Sequence, residues 1–184
     1  MESRPPQAVF LVGFMGAGKT SVGKALARRL RWFFLDLDSE IEQRCQRRID
    51  EIFRESGEAG FREAEREALR HLVTSLPRQR PVVVALGGGA YVPQDNCELL
   101  RGHPVVFLDT SFEEAQRRCA EQGGQRPLFR DQNLFRQLYE ARRRAYMKAD
   151  LRVDASAGNA GAIAEEVASR LGLHALDESA PDQP

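Results

Sequence analysis

The sequence has little cysteine: Cys45, Cys97 and Cys119 are odd in number and widely spaced, which fits neither a disulfide framework nor a zinc site. Three buried thiols in a reducing compartment are the expectation. It also lacks a long apolar run. Met1 to Pro6 carries charge and two prolines where a signal peptide would have its apolar core, and nothing approaches the length of a membrane span, so neither secretion nor insertion is expected. Net charge is missing as well, with 27 basic residues cancelling 27 acidic ones. No overall field therefore favours nucleic acid or an anionic membrane, and any anion site must be local. Lysine is almost absent: Lys19, Lys24 and Lys148 are the only lysines among those 27 basic residues. Arginine is the default cation here, and a lysine invites a question.

What is present suits a single domain. At 184 residues, 42% hydrophobic and 29% charged, the chain has enough aliphatic material for one core and ordinary proportions for a globular protein. One domain over residues 1–176 is expected, followed by a polar tail over 177–184 that frays. Only Met1 to Gln7 precedes the first strand, so no fused DNA-binding module is expected, and the expected assembly is a monomer.

Periodicity then orders the elements. Ala8 to Val12 is a short apolar strand that stops at Gly13 and leads through a glycine-rich turn into a helix with Val22, Leu26 and Leu30 on one face. Phe33 to Leu35 is a second strand ending in Asp36 and Asp38, with a helix opening near Ser39, a plausible cap. Two helical stretches over residues 49–76 break near Ser56 to Gly60. Val82 to Leu86 and Val105 to Leu108 are β-branched runs of the buried kind, the first followed by Gly87, Gly88 and Gly89. Helices over 111–121 and 133–148, a strand over 151–153 and a helix over 160–171 complete the chain. Strands alternating with helices predict a parallel sheet covered on both faces, with ligands at the carboxyl ends of the strands.

Three motifs at those ends carry chemistry. Gly13-Phe14-Met15-Gly16-Ala17-Gly18-Lys19-Thr20 matches the phosphate-loop pattern, with a strand before it and a helix after it. Backbone N–H groups of such a loop point at phosphate oxygens, the lysine reaches the β and γ phosphates, and the threonine hydroxyl goes to magnesium. Gly16, Ala17, Gly18, Lys19, Thr20 and Ser21 are therefore the candidate ATP contacts. Asp36 and Asp38 point opposite ways if the strand continues, so that one carboxylate can hold the magnesium shell and the other a sugar-like hydroxyl; the plainer reading is a pair of acids opening a helix. Three consecutive glycines expose backbone N–H groups to a small polar ligand, at an entropic cost that a simple turn seldom needs.

These motifs, joined by Gly60-Phe61-Arg62-Glu63 with Glu65 and by Arg126-Pro127-Leu128, resemble in order and spacing those of the shikimate kinase family, over about Val9 to Leu171. The resemblance implies a three-layer α/β fold of the phosphate-loop kinase type, with five parallel strands, a substrate-binding insert at about 39–76 and a lid at about 122–131. It implies transfer of the γ-phosphoryl group of ATP to the 3-hydroxyl of shikimate with Mg²⁺. By the same resemblance Asp36 and Thr20 belong to the metal, Asp38 binds shikimate and is the candidate base, and Arg62 and Arg142 take its carboxylate. Gly88 meets the substrate through its backbone, and Arg126 closes from the lid onto the phosphates. Arg142 is matched through its spacing to Tyr146 but opens the run Arg142-Arg143-Arg144, so a shift of one residue selects a neighbour. There are departures: no arginine stands at Glu121 or Gln122, where many relatives place one against adenine, and Ala160 replaces a proline. Backbone near Gly158 and Asn159 is the expected substitute. Another small-molecule or nucleoside-monophosphate kinase shares the loop, and a non-catalytic sensing module is the alternative from outside enzymes; such a module would be expected to have lost Lys19, Asp38 or Arg126.

Overall fold

The apolar runs become five strands of one sheet in the computed structural model, which describes residues 6–76, 80–121 and 132–175. In chain order they are β1 (Ala8–Val12), β2 (Phe33–Asp36), β3 (Val82–Ala85), β4 (Val105–Asp109) and β5 (Leu151–Asp154). Across the sheet the order is β2-β3-β1-β4-β5, and every pairing is parallel. Parallel neighbours need crossovers, supplied by α1 (Lys19–Leu30), α2 (Leu37–Cys45), α3 (Ile49–Ser75), α4 (Gln94–Leu99), α5 (Phe112–Glu121), α6 (Gln132–Tyr146) and α7 (Ala160–Arg170).

The three central strands, β3, β1 and β4, are buried along their whole length, as continuous apolar runs require when both faces are covered. β5, at one edge, alternates, with Arg152 and Asp154 exposed. Side chains of a strand point alternately to its two faces, and β1 divides accordingly. Phe10 and Val12 pack in one core with Leu37, Ile41, Phe61, Leu69 and Tyr146 from α2, α3 and α6. Val9 and Leu11 pack in the other with Leu26 of α1 and Val167 of α7. Three layers result, as expected.

β1 is flanked by β3 on one side and β4 on the other, so the connections leaving these strands diverge at its carboxyl end and open the crevice where such sheets take ligands. Several local details differ from the sequence reading. α2 starts before Ser39, because Asp36 caps it: its Oδ1 accepts from the Asp38 N–H at 3.1 Å. The break inside α3, by contrast, falls where expected, at Gly57, with φ 66° and ψ −171°. α4, with six residues, is too short to print a helical period and was not expected. The three cysteines are half-buried thiols rather than fully buried ones. The lid at 122–131, Arg126 within it, and the tail at 177–184 lie outside the described residues. No described helix is long and apolar enough to cross a membrane.

Candidate active site

The loop between β1 and α1 turns on glycines held at positive φ, Gly16 at 77° and Gly18 at 85°, which L side chains rarely adopt. Gly18 is the residue from which α1 springs, so the positive end of that helix and its first free N–H groups face the loop. Lys19 lies across it, its Nζ donating to the carbonyls of Gly13 at 2.8 Å and Phe14 at 3.0 Å. Thr20 and Ser21 follow in the first turn of α1. The Thr20 hydroxyl donates to Asp36 Oδ2 at 3.0 Å, which brings the end of β2 against the start of α1.

Asp36 and Asp38 do diverge, though by another route than strand alternation. Asp36 is spent on Thr20 and on capping α2, whereas Asp38 sits inside the first turn of α2 and faces the glycine turn after β3. A Cβ placed on Gly87 would stand 2.7 Å from Asp38 Oδ1 and 3.2 Å from Glu65 Oε1. One placed on Gly88 would stand 3.2 Å from an Arg142 guanidinium nitrogen, and one on Gly89 only 2.5 Å from Arg62. Each of the three glycines thus admits a different polar group, which is why the run needs all three. Around this turn the structure gathers Asp38 from α2, Arg62 and Glu65 from α3, and Arg142 from α6, beside the loop that carries Lys19: the Gly13 carbonyl lies 3.9 Å from the Gly88 position.

The charges around the turn are unequally satisfied. Arg62 donates to Glu65 Oε2 at 2.8 Å and approaches Glu58 at 3.4 Å. Burial works against its cation, but the two carboxylates outweigh it and its pKa rises. Glu65 is 1% exposed, and its other oxygen, Oε1, has no hydrogen-bond partner among the described residues. Burial pushes its carboxyl up, Arg62 opposes, and Asp38 pushes it up again. Arg142 is half-buried and makes no ion pair among the described residues; burial lowers its pKa and neighbouring Arg62 adds to the effect. A desolvated cation of this kind is costly unless an anion joins it. The Tyr146 hydroxyl, one turn along α6, donates to the Gly88 carbonyl and so fixes the turn, and burial raises its pKa far enough to keep it a donor.

One more arginine meets the phosphate loop from an unexpected position. Arg118, on α5 and one turn before Glu121, donates to the Gly16 carbonyl at 3.2 Å and to the Ser156 carbonyl at 3.3 Å, while Glu114 holds its Nε at 2.5 Å. It bridges the phosphate loop and the loop after β5. Asn159 there is committed to capping α7, accepting from the Ala162 N–H at 2.9 Å. No sequence motif marks Arg118; only its neighbours distinguish it from Arg117. Glu65 carried a weak sequence signal, its spacing of three from Arg62 on one helix.

Comparison with known proteins bears on this arrangement. The family model for shikimate kinase matches residues 15–172. A shikimate kinase of Thermus thermophilus is 40% identical over 94% of this chain and 94% of its own length. Another, of Gloeobacter violaceus, is 40% identical over 95% of this chain and 97% of its own. Among solved structures, the shikimate kinase of Acinetobacter baumannii in complex with shikimate superposes with a TM-score of 0.81 at 35% identity, covering 91% of this chain and 93% of that one.

Proposed function

The chain belongs to the shikimate kinase family and moves the γ-phosphoryl group of ATP onto the 3-hydroxyl of shikimate, and we propose that its residues divide this work between two halves of one cleft. The observation that carries the division is Arg142, a half-buried cation with no ion pair among the described residues, held beside Gly88 and close to Arg62. Two guanidinium groups grip a carboxylate with geometric selectivity and leave the opposite edge of its ring free to face ATP. Arg62 and Arg142 therefore hold the acceptor's carboxylate. Glu65 Oε1, buried and unsatisfied, accepts from a substrate hydroxyl, and Gly88 offers backbone. Asp38 orients the attacking hydroxyl and receives its proton.

In the nucleotide half, the N–H groups of Gly16, Ala17, Gly18, Lys19, Thr20 and Ser21 surround the phosphates, with Lys19 spreading the charge that grows on the transferring group. Arg126 joins them from the lid, and Arg118 borders the base. Thr20 Oγ1 and Asp36 Oδ2, 3.0 Å apart, are a donor pair suited to Mg²⁺, which keeps several waters and takes its other ligands from phosphates. When bound, that ion neutralises phosphate charge. Balanced charge and three thiols outside any disulfide support action in a reducing cytosol without nucleic acid or an anionic membrane surface, and we propose a single-domain monomer.

ADP release with shikimate, quinate, gluconate and nucleoside monophosphates as acceptors tests the reading. Shikimate alone is expected to stimulate turnover, and removal of Mg²⁺ by a chelator to abolish it; stimulation by a nucleotide and not by shikimate would defeat the acceptor assignment. Gly89→Ala, whose new methyl would collide with Arg62, is expected to raise the KM for shikimate roughly 10- to 100-fold, the cost of a lost charge-assisted contact. The KM for ATP should stay put. Arg118→Met is expected to do the reverse, raising the KM for ATP about 3- to 10-fold as a cation beside the base is lost.

A further inference from the structure

Helix α6 presents two neighbouring stripes. Phe135, Tyr139 and Arg143 are spaced by four residues and face the end of β4 and the phosphate loop. The rings of Phe135 and Tyr139 meet Phe14 edge-on at 5.1 and 5.2 Å. The Tyr139 hydroxyl donates to the Thr110 carbonyl at 2.7 Å, and Arg143 grips Asp109 with Nε at 3.2 Å and Nη2 at 2.7 Å. Arg142 and Tyr146, also four apart, form the second stripe and face Gly88.

Successive side chains of an α-helix are set about 100° apart, and long side chains reach roughly 5–6 Å from its axis. A helix held by Arg143 therefore has no freedom left in the direction of Arg142. Rotation by about 20° would carry a guanidinium through roughly 2 Å, enough to spoil a two-point grip on a carboxylate. Asp109 is well placed to resist such rotation. It is 7% exposed at the carboxyl end of a fully buried strand, and it also receives Arg152 from β5, at 2.7 Å from Nε and 2.6 Å from Nη2. Its carboxylate thus joins two arginines that would otherwise repel one another, and it ties α6 to the rigid middle of the sheet.

We propose that Asp109 is a positioning residue for acceptor recognition: acting through Arg143, it sets the azimuth of α6 so that Arg142 meets the substrate carboxylate. Asp109 and Arg143 themselves touch no substrate. The inference rests on the assignment of Arg142 to that carboxylate, and the experiment separates the two.

Steady-state constants would be measured for Asp109→Asn, Arg143→Met and Arg143→Lys, in the parent protein and in an Arg142→Met background. Asp109→Asn and Arg143→Met are each expected to raise the KM for shikimate about 10-fold, with kcat and the KM for ATP changed less than about twofold, and Arg143→Lys to recover most of the loss. In the Arg142→Met background, Asp109→Asn should add less than about twofold, because the group it positions is gone. An equal effect in both backgrounds, or one shared by both substrates, overturns the proposal and leaves Asp109 a structural anchor. Should Arg142→Met itself leave the KM for shikimate unchanged, the carboxylate assignment falls first. If Asp109→Asn fails to fold, Arg143→Met reads the same cycle.

Discussion

Asp38→Asn is expected to lower kcat by about 10²- to 10⁴-fold, the range for a positioned acid–base group, with the KM for ATP within about twofold of the parent. Asparagine keeps the shape of the side chain and its place in the first turn of α2, but it has no carboxylate to draw the hydroxyl proton or to align it through a charged hydrogen bond. The nucleotide side should be spared because Asp36, not Asp38, holds the Thr20 hydroxyl and caps the helix. ADP release at saturating shikimate and ATP measures the effect, with circular dichroism to show that the fold survives. A loss below about tenfold would reduce Asp38 to a contact that merely orients the acceptor, since proton acceptance in phosphoryl transfer would then contribute little.

Lys19→Met is expected to be comparably severe, with kcat down by about 10²- to 10³-fold, the scale for removing one preorganised group from a developing charge. Lys19 is one of three lysines among 27 basic residues, and its ammonium, donating to the Gly13 and Phe14 carbonyls, spans the loop from within. Methionine preserves the length of the stem and removes only the charge and its donors. Since the loop N–H groups remain, part of the ATP affinity should persist, so the KM for ATP should rise less steeply than kcat falls. Equal loss of affinity and rate would instead mean that Lys19 binds ground state and transition state alike, and the charge-spreading role would be withdrawn.

The loop around Lys19 was legible because it is contiguous: glycines with positive φ, a lysine and a hydroxyl within eight residues, between an apolar strand and an amphipathic helix. The parallel sheet was legible for a similar reason, since runs such as Val82 to Ala85 leave no exposed face for an antiparallel edge. Ser39 is not the cap that the sequence suggests, because a helix boundary depends on which of several nearby oxygens reaches the free N–H groups, and Asp36 reaches first. The arginine run of α6 could not be divided by pattern alone, because Arg142, Arg143 and Arg144 are chemically identical.

What the sequence determined by itself, then, is whatever depends on neighbours along the chain: the loop conformation, the strand and helix types, and the presence of carboxylates and guanidinium groups in sufficient number. What only the tertiary structure decided is which of those groups meet. Glycines 87, 88 and 89 face Asp38 and Glu65, Arg142, and Arg62 in turn, and Arg143 turns aside to Asp109, pairings that join residues from four different elements. Hydrogen bonds and ion pairs act over about 3 Å, and helix rotation decides which side chain of a run is brought within that range.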